Sequence, residues 1–328
     1  MTLTSRASTD VRVVPPAPDP STVRLPGPWS HRDVSANGIR LHIAEAGTGP
    51  LVLLLHGFPE FWWAWHRQLP AIAAAGYRAV AVDLRGYGDS DKPPRGYDGW
   101  TLAGDIAGLI KALGQSRAHL VGHAWGGMIA WTVAALHPRL VRTVSAVAAP
   151  YPLALRAAAR RSLVRRSDSQ ARAIGQVYRA QLPILPERGL VADDAAAVER
   201  LLRRWGGPRW TVGPDFAEVA DRDRAAMRVP GVAHSALEYY RWALRSQLRT
   251  DGRHFAQELD KSLVVPSLQV HGAVDPYILT STAQASRAWL APRPVFHSLA
   301  GVGHFPHHEA PATVLDLLVE FLAGHPIS

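Results

Sequence analysis

The chain has 328 residues, 47% of them apolar and 19% charged, enough for one large domain with a sizeable core. It contains no cysteine, which excludes disulfides, thiolate metal sites and a cysteine nucleophile. No run reaches the roughly 18 apolar residues that a membrane-spanning helix needs. The net charge of +9 rests on 36 basic residues, of which only Lys92, Lys111 and Lys261 are lysines. The excess is localised: residues 151–250 hold 18 arginines against 10 acids. Such a surface can attract nucleic acid, anionic lipid or acidic partners. No nucleic-acid motif accompanies it, so a solvated helical face is the expectation and nucleic acid is not an expected partner.

Residues 1–28 are rich in proline and small polar residues and are expected to form a disordered lead-in. They lack the charged-then-apolar pattern of a secretory signal, so a cytoplasmic protein is expected. HRDVSANGIRLHIAEAG reads as two strands around Asn37-Gly38, a strong hairpin signal. LVLLL (51–55) is continuously apolar, as a strand buried on both faces of a parallel sheet should be. RAVAVDL (78–84), AHLVG (118–122) and RTVSAVA (142–148) repeat that character, with helical stretches FWWAWHRQLPAIAAAG and LAGDIAGLIKALG among them. The alternation predicts a doubly wound α/β sheet. From 151 to 258 the chain turns to Ala, Arg and Leu with helical periodicity, and strands resume at 264–272 and 294–299 before the helix ATVLDLLVEFLAG. The predicted organisation is a core of 29–150 and 259–328, interrupted by a helical cap at 151–258.

In open α/β sheets reactive groups gather at the carboxyl ends of strands. After LVLLL comes HGFPE (56–60), where the Phe58 N–H is placed to point into a site and a cis peptide before Pro59 would fix the turn. LVGHAWGGM (120–128) has the shape of a nucleophile elbow, with Gly122, Gly126 and Gly127 supplying the small residues that a sharp turn needs. Its tip is Ala124, which has no nucleophilic atom. The N–H of Trp125 would join that of Phe58 in an oxyanion hole. HGAVDPY places Asp275 after a buried strand, and GVGHFPHHEAP places His304 after the last one, with His307 and His308 as bystanders. Elbow, acid, histidine is the α/β-hydrolase order: Asp275 would orient the His304 ring, and His304 would act as general base. Trp62, Trp63 and Trp65 read as core packing, and Asp83 and Asp89 as holding their own turn. There is no HExxH, and no metal or cofactor is expected.

HGFPEFWWAWHRQLPAIAAAGYRAVAVDLRGYGDSDKPP followed by VGHAWGGMIAW resembles the epoxide hydrolases of the α/β-hydrolase superfamily. Haloalkane dehalogenases rank second, since many carry a polar halide-binding residue where this chain has Phe58. The resemblance implies an elbow aspartate that attacks an epoxide carbon to form an ester, two cap tyrosines that hydrogen bond the epoxide oxygen, and a His–Asp pair that activates water against the ester. His304 and Asp275 match that pair, and Tyr240 in EYYRW matches the second tyrosine. For the first, Tyr178 in GQVYRAQLP is the best candidate, although aligning QLP puts Ala180 at the place. The nucleophile's place is Ala124, so the chain is expected to be inactive or nearly so by the covalent route. It is then either an enzyme recently changed at 124 or a natural binding protein of the same fold. The implied partner is a small apolar epoxide. LALRAAARRSLVRR (153–166) is a further candidate for membrane-surface contact, weakened by the lack of a clean apolar stripe.

Overall fold

The computed structural model of the chain describes residues 17–164 and 170–327. Eight strands form one sheet: β1 (Ser30–Ala36), β2 (Ile39–Ala46), β3 (Leu51–Leu55), β4 (Arg78–Val82), β5 (Ala118–His123), β6 (Val141–Val147), β7 (Ser267–Gly272) and β8 (Val295–Leu299), in the order β1-β2-β4-β3-β5-β6-β7-β8. β2 runs antiparallel to both neighbours, and the remaining pairs are parallel. Asn37 and Gly38 sit at φ +49° and +79°, the left-handed pair that closes the β1–β2 hairpin.

All five residues of β3 and all six of β5 are buried. Helices explain why. α1 (Gln68–Ala74), α2 (Gly99–Ala112), α3 (Trp125–Leu136) and the C-terminal helix Pro311–Ala323 pack on the sheet and cover its central strands on both sides. The stretch read as one helix from Phe61 divides in two: Trp62–Trp65 form a 3-10 turn ahead of α1. Trp62, Trp63 and Trp65 are all buried in the main core.

Residues 17–28 depart from the expected disorder; residues 1–16 lie outside the described residues. Pro20–Val23 form a 3-10 turn, Val23 is buried, and its carbonyl accepts the Trp62 indole N–H at 2.8 Å. Arg24 pairs with Asp33 of β1 and with Asp89 in the turn after β4. An aromatic anchor and two ion pairs hold this segment against the domain.

Between β6 and β7 the chain inserts α4 (Pro152–Val164), α5 (Gln170–Ala173), α6 (Gln176–Arg179), α7 (Leu185–Trp205), α8 (Asp215–Met227), α9 (Val232–Arg245) and α10 (Thr250–Leu259). α7 is broken at residues 192–195, where three residues take positive φ. In α4 the side chains Leu153, Leu155 and Ala159 line a cavity within the protein. Residues 165 and 166 of the same run lie outside the described residues. No helix among the described residues is long and apolar enough to cross a membrane.

Candidate active site

The chain's progression across the sheet reverses at β3, which has β4 on one side and β5 on the other. That reversal opens a crevice between the carboxyl ends of β3 and β5, where Leu55 pairs with Gly122. The HGFPE turn and the glycine-rich turn are therefore neighbours. Ala124 stands at the tip between β5 and α3 with φ +45° and ψ −110°, a strained conformation for a non-glycine residue. Its N–H bonds the Val147 carbonyl at 3.0 Å and its carbonyl takes the Met128 N–H at 2.9 Å. Crowding dictates the glycines: a Cβ on Gly122 would lie 2.4 Å from the Gly126 carbonyl carbon, and one on Gly126 would lie 2.2 Å from the Leu55 oxygen. This turn has the form of a nucleophile elbow, with a methyl group at its tip.

The Phe58 and Trp125 N–H groups make no hydrogen bond to another group among the described residues. Trp125 is the first residue of α3, so its N–H also lies at the positive end of that helix. The Phe58–Pro59 peptide is cis.

His304 and Asp275 meet as the sequence suggests. His304 Nδ1 donates to Asp275 Oδ2 at 2.7 Å, and both side chains are fully buried. Asp275 Oδ1 accepts the N–H groups of Tyr277 and Ile278 at 2.8 and 2.9 Å, which fixes the carboxylate. With Nδ1 donating, the neutral ring carries its lone pair on Nε2. That atom has no partner among the described residues, and His304 lines the same cavity as Ala124 and Trp125. This is the placement a general base requires.

The cavity holds about 160 Å³ between the sheet edge and the inserted helices, with Phe58, Met128, Leu153 and Tyr240 among its mostly apolar walls. Tyr240 is buried, packs edge-on to Phe58 and Trp125, and burial pushes its phenol well above the usual value. Its neighbour Tyr239 turns away and donates to the Arg85 carbonyl at 2.7 Å. Tyr178 does not join the site. It is 43% exposed and does not line the cavity. α6 is a single turn of four residues, and it turns Gln176 inward in place of Tyr178. Gln176 Nε2 donates to the Tyr240 hydroxyl at 2.7 Å and to the Tyr277 hydroxyl at 3.2 Å. Ala180 is buried nearby, and its carbonyl accepts from Arg241 at 2.8 Å.

Tyr277 escaped the sequence reading, although it stands only two residues after Asp275. Its ring stacks on Trp205 at 4.4 Å and meets His304 edge-on at 4.9 Å. Glu60, the last residue of HGFPE, also escaped it. Glu60 Oε2 accepts from His123 Nδ1 at 2.6 Å and from the Gly57 N–H at 3.1 Å, while Oε1 accepts from His307 Nε2 at 2.8 Å. His307, read as a bystander, thus supports the floor of the site. Burial opposes ionisation of Glu60, but the His123 and His307 rings outweigh it and hold the carboxyl well below its usual value. Burial drives His307 well below its usual value despite Glu60. Ligand atoms of Glu60, His123 and His307 lie close enough to hold a metal ion, but each of the nitrogens that face Glu60 is engaged as a hydrogen-bond donor. Asp83 holds its own turn: it accepts from His42 Nδ1 at 2.7 Å and from the Trp62 and Asp89 N–H groups.

A mostly parallel sheet, an elbow after β5 and a His–Asp pair after the last strands define an α/β hydrolase, and residues 50–311 match the alpha/beta hydrolase fold family. Within that superfamily the chain belongs to the epoxide hydrolases. It is 32% identical to epoxide hydrolase A of Mycobacterium tuberculosis over 91% of this chain and 98% of the relative. It is 33% identical to an epoxide hydrolase of Caballeronia sordidicola, over 92% and 96%. The crystal structure of epoxide hydrolase VrEH1 from Vigna radiata superposes with a TM-score of 0.76 at 28% identity, covering 90% of this chain and 99% of that one.

Proposed function

We propose that the site is built to open a small apolar epoxide to a vicinal diol through an aspartyl ester, and that the chain as it stands binds the epoxide without completing that route because Ala124 occupies the nucleophile's place. The observation that carries this reading is the pairing of a strained elbow ending in a methyl group with a His304 Nε2 that faces the same cavity without a partner. The strain serves no purpose for alanine; it serves to project a reactive side chain.

With a carboxylate at 124, its oxygen would bond to an epoxide carbon as the ring C–O bond breaks. The electron pair would pass to the ring oxygen, which takes a proton from the Tyr240 phenol. His304 Nε2 would then remove a proton from water as the hydroxide adds to the ester carbonyl, the oxyanion resting on the Phe58 and Trp125 N–H groups. Collapse releases the diol and restores the carboxylate, and the proton on His304 returns to the phenolate. In the present chain the first bond has no donor. Loss of a triad nucleophile costs orders of magnitude in rate. The test compares the chain with Ala124→Asp on a panel of epoxides, following diol formation. Turnover by the substituted form alone supports the reading; no turnover by either contradicts it.

A second reading is a natural binding protein of the same fold. The observation in its favour is that Tyr178, the candidate for the first cap tyrosine, is exposed, while the Gln176 amide faces Tyr240 instead. Binding of small apolar ligands by both forms without any diol would favour it.

A further inference from the structure

We propose that Tyr277, on the core loop after β7, is the second phenol of the site, and that Tyr240 and Tyr277 together grip the epoxide oxygen while Gln176 orients both hydroxyls. The inference rests on the epoxide reading above and adds a residue from outside the inserted helices.

Both phenols line the cavity that holds Ala124 and His304. Both hydroxyls accept from the one amide nitrogen of Gln176, at 2.7 and 3.2 Å, which brings them side by side. A phenol has one proton and can accept at its lone pairs. An amide that donates to both oxygens fills acceptor positions and leaves both protons directed away from Gln176. An acceptor oxygen entering between the hydroxyls gives both protons a partner at once. Among the described residues Gln176 is not one of those that line the cavity. Burial pushes the Tyr277 phenol up to about 12 and the Tyr240 phenol well above its usual value, so both keep their protons to donate at neutral pH.

Tyr277 is fixed in place by its surroundings. Its N–H is held by the carboxylate that orients His304, and its ring is clamped between Trp205 and His304. The simpler role is packing alone, with the hydroxyl satisfied by Gln176. A readout that packing would not move separates the two.

Because the chain lacks the nucleophile, binding can be read at equilibrium. The probes are styrene oxide and cyclopropylbenzene, which differ only by an oxygen in place of a methylene. Two hydrogen bonds of ordinary net strength predict about tenfold tighter binding of the oxide. Tyr277→Phe, which keeps the ring on Trp205, should cut that preference to about threefold. Tyr240→Phe should do the same, and the double variant should abolish it. If Tyr277→Phe does not fold, Gln176→Leu keeps both phenols and should still lower the preference. A preference lost in Tyr240→Phe but unchanged in Tyr277→Phe, or unchanged in Gln176→Leu where only that variant folds, overturns the phenol pair alone. Equal binding of both probes by the unsubstituted chain overturns the epoxide reading and the pair with it.

Discussion

His123 donates from both ring nitrogens, to Glu60 Oε2 at 2.6 Å and to the backbone carbonyl of His304 at 2.8 Å. A carbonyl oxygen and an ionised carboxylate can only accept, so the ring is an imidazolium. Burial works against that charge, but Glu60 outweighs it and raises the ring above its usual value. A buried ion pair thus sits beneath the elbow, and one end of it is attached to the loop that carries His304.

Replacing Glu60 with Gln leaves that imidazolium without its counter-charge. Breaking a buried pair from one side costs about 3–5 kcal/mol. Glu60→Gln should therefore lower Tm by about 5 °C, read by calorimetry at pH 7. An unchanged Tm would mean that His123 is neutral and the pair contributes nothing.

Acid should destabilise the protein well before its carboxylates protonate. Burial lowers His66 and His119 each to about 4, and lowers His31, His56, His271 and His307 as well. A ring with a folded value below its unfolded one binds its proton more readily in the unfolded chain. Its contribution is complete above the unfolded value of about 6.5 and is lost as pH falls toward the folded one. His66 and His119 each account for on the order of 3 kcal/mol by pH 4. His123 acts in the opposite direction, since its raised value gives stability that is present below 6.5 and lost as pH rises through its folded value. The lowered rings outnumber it. Tm should fall steadily from pH 6.5 to 4, and a flat profile over that window would contradict this balance.

Asp223 of α8 is buried, and its Oδ2 has no partner among the described residues. Burial, with the charge of Glu60 behind it, raises its carboxyl well above the usual value. For an acid raised in the folded state, ionisation costs stability at every pH above the unfolded value of about 3.9. Asp223→Asn should raise Tm at pH 7 and leave it nearly unchanged at pH 4. A lower Tm at pH 7 would reveal a buried partner for the carboxylate.

Gly122→Ala tests the elbow's geometry. The added Cβ would run into the Gly126–Gly127 peptide, at 2.4 Å from its carbonyl carbon and 2.5 Å from its nitrogen. No flexible side chain is there to yield. Loss of soluble folded protein, or a Tm lower by more than about 5 °C, is the expected result; a wild-type melt would show that the turn can open.

Much of this molecule is legible in its sequence because the signals are local. β3 and β5 announce themselves as continuous apolar runs, and Asn37-Gly38 as a hairpin. Ala124, Asp275 and His304 follow from turns placed after buried strands. What escaped depends on meetings between distant segments. Glu60 gathers His123 and His307 from far along the chain, and no spacing encodes that. Tyr277 matters because α6 and α9 bring Gln176 and Tyr240 to it. Tyr178 misled because helical periodicity needs several turns to set a face, and α6 has only one.

The central claim is that one carboxylate is missing from an otherwise complete site. The most direct test is the intact mass of three forms after exposure to styrene oxide: the chain itself, Ala124→Asp, and Ala124→Asp combined with His304→Gln. Without His304 the ester has no base to hydrolyse it. The double variant should gain the mass of one styrene oxide, Ala124→Asp should form diol with little adduct, and the unsubstituted chain should do neither. No adduct on the double variant, or equal labelling of the unsubstituted chain, would contradict the account.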